Sequence, residues 1–264
     1  MNALFDTHAH LDQLTNVEAA LDGARKVGVT GVVAVGTDMV SNEKTLRIAE
    51  RWPGFVHPAF GLHPSHLGNY DGVCIASELK FIQDNLMAAC AVGEVGLDYH
   101  KRTLAQVSKE TQQKVFSEVL ALAAAAQRPV LVHSRYAWAD ALNLVRESGV
   151  ANAVFHWFTG FSSVLRGIMD AGYYISATPA TEYHEEHRRV VRSVRLEQLL
   201  LETDAPVWYG RTEKYQSYPA DVLRSLRAVA ELRAENEDKV ARITTRAARC
   251  VLGCTMSQTL EEVS

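Results

Sequence analysis

Six side chains are spaced along this sequence in a way that suits a metal centre: His8, His10, Glu94, His133, His156 and Asp204. Neutral imidazole binds zinc, manganese, nickel or iron, and carboxylates add charge and can bridge two ions. His8 and His10 lie two apart in an extended segment, so period-two alternation puts both on one strand face, where they can grip one ion. A single histidine is more often a satisfied core or surface residue. Four histidines and two carboxylates at equivalent places in consecutive units are poorly explained that way. Around this set, His63 in Gly-Leu-His-Pro is read as a substrate contact in preference to a seventh ligand or a loop anchor. Arg135 is read as meeting an anionic substrate, with a surface salt bridge as the alternative. Asp98 falls beside Glu94. Asp6 shares the parity of His8 and His10, so it is expected either to hold one imidazole tautomer or to cap the first strand.

Something must bring residues almost 200 positions apart together. Short apolar runs at 3–7, 31–35, 56–60, 89–93, 129–133, 153–156, 173–177 and 199–202 read as strands, several buried on both faces. Between them run helical stripes such as Val17, Leu21, Ala24 and Val27, or Val222, Leu226, Val229 and Leu232. A further stripe, Val240, Ile243, Ala247 and Val251, makes one extra helix at the end. Gly28, Gly149 and Gly172 fall where helices should stop. Strands alternating with helices imply right-handed βαβ units and a parallel sheet. No glycine-rich dinucleotide loop follows the first strand, which lowers the open-sheet rival. The expected architecture is an α/β fold, a (β/α)8 TIM barrel forming a single domain over residues 1–254. The C-terminal helix adds to it, and a polar tail spans 255–264. Every candidate ligand then sits at a strand's C-terminal end, on the rim where such barrels build their sites.

Bulk properties narrow the partners. The chain has 264 residues, a 47% hydrophobic fraction and a net charge of −4, ordinary for a globular protein with a large core. No strongly basic surface is required, and Arg188, Arg189, Arg192 and Arg195 read as a solvated helix face before a phosphate-contacting patch. The four cysteines, Cys74, Cys90, Cys250 and Cys254, form no Cys-x-x-Cys pair. They fit a reducing cytoplasm, with Cys250 and Cys254 as buried thiols. The N-terminus lacks the basic and apolar regions of a signal peptide. No apolar run reaches the roughly 20 residues of a membrane span.

The segments DTHAHLD, GLHP, GEVGLDY, PVLVHSR, HWFTG and LLETDAP, in this order and spacing, resemble the TatD family of metal-dependent hydrolases. The likeness runs from Phe5 to about Gly253. It implies two divalent ions, Zn, Mg or Mn, held by His8, His10, His133, His156 and Asp204, with Glu94 bridging them. Asp204 and Glu94 become the catalytic carboxylates, and Asp204 takes a proton from the attacking water. The family includes DNases, often acting from a 3′ end, and enzymes that deacylate D-aminoacyl-tRNA. A deoxyribonuclease of the 3′–5′ exonuclease type is therefore expected, with single-stranded DNA or 3′ ends, RNA or aminoacyl-tRNA as partners. A D-aminoacyl-tRNA deacylase is the alternative, and a non-catalytic assembly subunit a third reading. The rim departs from the family pattern. Tyr136 follows HSR where an acidic residue is common, VWYGRTEKYQSYP (207–219) replaces a basic stretch and an Asn-Glu-Pro motif, and Ala247 stands where asparagine is usual. Trp157, Phe158, Trp208 and Tyr209 are expected either to stack bases or to pack under loops, and Arg211 and Lys214 to reach phosphate.

Overall fold

The computed structural model describes residues 3–254, so the expected polar tail lies outside the described residues. Eight strands follow one another: β1 (Leu4–Ala9), β2 (Val29–Val35), β3 (Val56–Phe60), β4 (Ala91–Asp98), β5 (Val130–Arg135), β6 (Ala153–Phe155), β7 (Tyr174–Ala177) and β8 (Leu199–Leu201). Each pairs in parallel with the next, in the order β1 to β8. The helices between them are α1 (Val17–Lys26), α2 (Met39–Arg51), α3 (Gly72–Asn85), α4 (Lys101–Leu104), α5 (Lys109–Ala125), α6 (Trp138–Glu147), α7 (Ser162–Asp170) and α8 (Glu185–Ser193). After β8 come a two-residue hairpin, β9 (Trp208–Tyr209) with β10 (Tyr215–Gln216), then α9 (Val222–Arg233) and α10 (Glu237–Leu252). The expected (β/α)8 barrel with an additional C-terminal helix is what forms. Among the described residues no helix is long and apolar enough to cross a membrane.

Local chemistry sets the helix limits. Asn16, Asp38, Asp71 and Ser108 each accept a bond from a first-turn amide, satisfying donors that have no partner within the helix. Gly28, Gly149 and Gly172 end the preceding helices at φ of 92°, 77° and 77°.

Two apolar layers fill the molecule. The outer one lies between strands and helices and includes Val32, Val92, Val132 and Phe155. The inner one fills the barrel floor with Phe5, Val33, Leu131, Val154 and Leu200. Against that floor α10 seats Ala247, Ala248, Val251 and Leu252. Ala247 therefore sits at the end of the barrel opposite the strand C-termini. Gly253 closes α10 in the left-handed region, so Cys254 turns inward and is buried while Cys250 is exposed. Only one of these two thiols matches the expectation of burial.

The ring closes between β1 and β8 through few bonds. A single parallel bridge joins Ala9 to Ala205. The His10 amide donates to the Ala205 carbonyl at 2.7 Å, and the Asp204 amide to the His8 carbonyl at 2.8 Å. Asp6 completes the seam, with no contact to an imidazole ring among the described residues. Its Oδ1 accepts from the Thr203 amide at 2.9 Å, and its Oδ2 from the Thr203 hydroxyl at 2.6 Å. Of the two roles expected of Asp6, the structure favours the local cap, since Oδ1 also accepts from the His8 amide at 3.3 Å. The β1–β2 register slips between Asp6 and Ala9, where one extra residue re-aims the side chains that follow, as a bulge does.

Three of the four clustered arginines are spent on structure, and Arg192 is exposed. Arg188 donates to the Thr181 carbonyl, Arg189 to Ser162 and the Gly160 carbonyl, and Arg195 to Gln198. Removing the Asp6 carboxylate should leave two Thr203 donors buried and unpaired. Asp6→Ala is expected to lose at least about 2 kcal/mol of stability in urea unfolding. An unchanged midpoint would show that the seam does not depend on it.

Candidate metal centre

The strands that carry ligands extend further than their apolar runs. β1 continues through His8 to Ala9, and β4 runs from Ala91 through Glu94 to Asp98. The sequence reading placed both of these acidic residues after β4. They are part of it, because the ladder persists where the hydrophobic pattern stops. β4 also carries a register shift, between Val92 and Val95, around Glu94. Gly96, at φ 146°, lets β5 pass closely: a Cβ there would stand 2.0 Å from the His133 carbonyl oxygen. Both bulged segments thus carry a candidate ligand.

The structure brings all six predicted ligands together at the strand C-termini. Glu94, only 4% exposed, turns its two oxygens to different partners. Its Oε2 lies 3.6 Å from His8 Nε2 and 3.5 Å from His10 Nε2. Its Oε1 lies 2.8 Å from His133 Nδ1, 2.8 Å from His156 Nε2 and 3.6 Å from His63 Nε2. Asp204 Oδ1 completes the first set at 3.4 Å from His10 Nε2 and 3.8 Å from His8 Nε2. Two ligand atoms about 2.1 Å from one tetrahedral ion lie about 3.4 Å apart. The contacts among His8, His10, Glu94 and Asp204 match that edge length and exceed a good hydrogen bond.

Unpaired buried atoms lie in and around this cluster. His8 Nδ1 and Nε2 are buried without a hydrogen-bond partner, as are His133 Nε2 and His156 Nδ1, the ring nitrogens turned from Glu94 toward Asp98 and Glu202. Such atoms are costly unless something coordinates them. His10 Nδ1 is bonded to the Val35 carbonyl at 3.0 Å. As donor there, Nδ1 leaves the Nε2 lone pair facing the cluster. The residues present fit divalent ions in donor type, spacing and unmet bonding capacity. Three-residue groups able to hold a cation are His8–His10–Asp204, His63–Glu94–His133 and His8–His156–Glu202.

Electrostatics follow from burial and mutual charge. Burial opposes ionisation of Glu94, but His63, His156 and His133 hold its carboxyl well below the usual range. Burial also opposes a charged His10, yet Asp204 and Glu94 raise it to about 9. At His63 burial wins and lowers it to about 3. His63 lies inside the cluster, in a group that could hold a cation, with Nδ1 2.6 Å from Ser65 Oγ and accepting the Ser65 amide at 3.2 Å.

Glu202 was missed. Fully buried at the end of three leucines, it places Oε1 3.4 Å from His156 Nδ1 and accepts the Trp157 amide. A carboxylate closing so apolar a run is itself a signal, but the neighbouring Asp204 drew the attention. Asp98 stands behind His133, with Oδ2 3.8 Å from Nε2.

A cavity of about 610 Å³ opens over the cluster, and Arg135, Tyr136, Trp138 and Trp157 line it. Arg135 is exposed and forms no ion pair among the described residues. Of the four aromatics weighed for stacking, Phe158 and Tyr209 are fully buried packing residues. Trp208 is exposed in the hairpin, and only Trp157 faces the cavity. Arg211 is turned to the Tyr183 carbonyl and ring.

A ligand that binds only the folded chain stabilises it, by about 2.7 kcal/mol at a hundred times its Kd. Chelator-stripped protein should therefore gain thermal stability when Zn²⁺ or Mn²⁺ is added. His8→Ala should lose most of that gain. An equal shift in the variant would place the cation elsewhere.

Comparison with known proteins agrees with this site. The family model described as TatD related DNase matches residues 5–253. The chain is 31% identical over 253 residues to "Deoxyribonuclease TATDN3" of Homo sapiens, covering 92% of each chain. It is 31% identical over 228 residues to "3'-5' ssDNA/RNA exonuclease TatD" of Pantoea vagans, covering 83% of this chain and 86% of that one. The crystal structure of YJJV, a TatD homologue from Escherichia coli, superposes with a TM-score of 0.84 at 27% identity, covering 94% of this chain and 97% of that one. With its barrel, its ligand cluster and these relatives, the chain belongs to the TatD family of DNase-related, metal-dependent hydrolases.

Proposed function

We propose that this chain hydrolyses DNA phosphodiester bonds, working from 3′ ends, with two divalent ions (Zn, Mg or Mn). His8, His10 and Asp204 would hold one ion, His133 and His156 the other, with Glu94 between them. The observation that carries the reading is the division of Glu94, whose Oε2 faces His8 and His10 while Oε1 faces His133 and His156. One ion would leave half of that arrangement without a purpose. The exonuclease direction is supported by the name of the Pantoea vagans relative. The few cysteines support a cytoplasmic setting.

Bound ions would lower the pKa of water toward neutrality and draw charge from the scissile phosphoryl oxygen. The chain supplies the rest. Asp204 is fixed at the seam by its own amide, which donates to the His8 carbonyl at 2.8 Å. Its carboxyl is held below the usual range, since His10 and His8 outweigh burial. An ionised Asp204 so placed accepts the proton of the attacking water. His63 contacts the substrate: with Nδ1 accepting the Ser65 amide, Nε2 carries the proton and can donate to a phosphate oxygen. Arg135, unpaired at the cavity rim, meets a second phosphate. The buried cluster also argues against a non-catalytic scaffold, which would have no reason to keep such costly groups.

The test is turnover of 3′- and 5′-labelled single-stranded DNA, with RNA and aminoacyl-tRNA in parallel, with and without chelator. Loss of 3′ label before internal cleavage, abolished by chelator, is expected. Asp204→Asn should reduce turnover at least about a hundredfold while retaining some metal. His63→Ala should mainly weaken substrate use and leave metal content near wild type. Turnover of aminoacyl-tRNA alone would replace the nuclease reading. Near-normal turnover in Asp204→Asn would remove its role as base.

A further inference from the structure

Beside the metal centre the cavity wall becomes aromatic and continues outward. Tyr136, directly after β5, has φ 57° and is 58% exposed. The left-handed region is unfavourable for a residue with a Cβ, and here it throws a large ring to the surface at the cavity mouth. That ring stacks on His100, with centroids 6.1 Å apart and planes 23° apart. It meets Trp138 edge to face at 5.8 Å, and Trp138 meets Phe161 at 5.3 Å and 84°. Phe161 is 68% exposed. Trp138 Nε1 is buried without a hydrogen-bond partner. The Arg135 guanidinium lies 5.9 Å from the Tyr136 ring. Tyr136 and Trp138 line the cavity that also holds Glu94 and Asp204.

Two exposed aromatic rings, Tyr136 and Phe161, bridged edge to face by the half-buried Trp138, cost solvation and need an occupant. Their position selects one. The strip starts at the centre proposed to cut phosphodiesters and carries a guanidinium on its edge. Its rings offer π-faces, which every base can stack on once it is unpaired. In a duplex those faces are already stacked. We propose that Tyr136, Trp138 and Phe161 form a stacking track for the unpaired bases of a single-stranded DNA end, with Arg135 holding an adjacent phosphate. This rests on the nuclease reading and extends it. It makes the track, and above all Tyr136, the element that selects single strands over duplex.

The track is tested by equilibrium binding, separately from turnover. The metal-loaded protein is titrated into a fluorescein-labelled phosphorothioate oligothymidylate, read by anisotropy. The same titration is made with an oligomer of equal length and charge built from abasic residues, and with a duplex. Wild type should bind the abasic oligomer and the duplex at least about tenfold more weakly. Tyr136→Ala and Phe161→Ala should each lose at least about fivefold on the oligothymidylate, the low end for one stacked base. They should lose less than about twofold on the abasic oligomer, and Tyr136→Phe should bind as wild type does. Phe161→Ala, on an exposed helix-cap residue, keeps the test valid if Tyr136→Ala folds poorly. Equal losses on both oligomers, or none on either, would overturn the track. So would a wild-type dimer that the same substitutions dissociate, which would make the strip a self-association face. Binding as expected without turnover of any nucleic acid would remove the nuclease reading and leave the track. Turnover with unaltered binding in both variants would do the reverse.

Discussion

The buried carboxylate of Glu94 sets the terms for the rest of the molecule. An isolated charge of this kind is prohibitively costly away from water, so it must be surrounded by groups that compensate it. Here the compensation comes from five imidazoles on four other strand ends, each reaching one of its two oxygens. Assembling them requires a closed ring of strands whose C-termini share one rim. Much of the fold serves that requirement. The bulges fall beside His8 and at Glu94, and Gly96 lets β5 close on β4 beside His133. Asp6 and Thr203 join the first strand to the last, which fixes His8 and His10 relative to Asp204.

The division of labour along the barrel axis follows from the same constraint. The floor is apolar, filled by Phe5, Leu131 and Leu200 and closed by α10. The mouth holds nearly all the buried ionisable groups. In the floor, as in the outer layer, burial of each large apolar side chain contributes about 1.5–3 kcal/mol. The mouth can then hold groups that are unfavourable by themselves. Ala247 belongs to the floor, so its departure from the family pattern bears on packing below the barrel. Tyr136 belongs to the mouth, where its ring lines the cavity.

The barrel was legible because its signals are local and repeated. Apolar runs of strand length alternate with helical stripes, and each ligand follows or ends such a run. That six candidate ligands gather at one rim was legible for the same reason, since a polar residue at the end of a buried strand stands out. What could not be read depended on register. Alternation put Asp6 with His8, but the register slips between Asp6 and Ala9, and Asp6 bonds Thr203. The end of β4 was misplaced because Glu94 and Asp98 break the hydrophobic pattern without breaking the ladder. Glu202 was passed over beside Asp204, and its contact with His156 needs the fold to be seen. Among the aromatics, sequence could not separate Phe158 and Tyr209, which pack inside, from Trp157, which faces the cavity.

Glu94 is proposed to serve two cation positions, one through each oxygen. The direct measurement is metal stoichiometry by mass spectrometry on the metal-loaded protein, comparing wild type with Glu94→Gln. The substitution keeps the side chain's shape and removes the charge shared between the two sets of histidines. Two ions per wild-type chain, falling to one or none in the variant, is the predicted result. A single ion in the wild type, or two ions retained by Glu94→Gln, would contradict it.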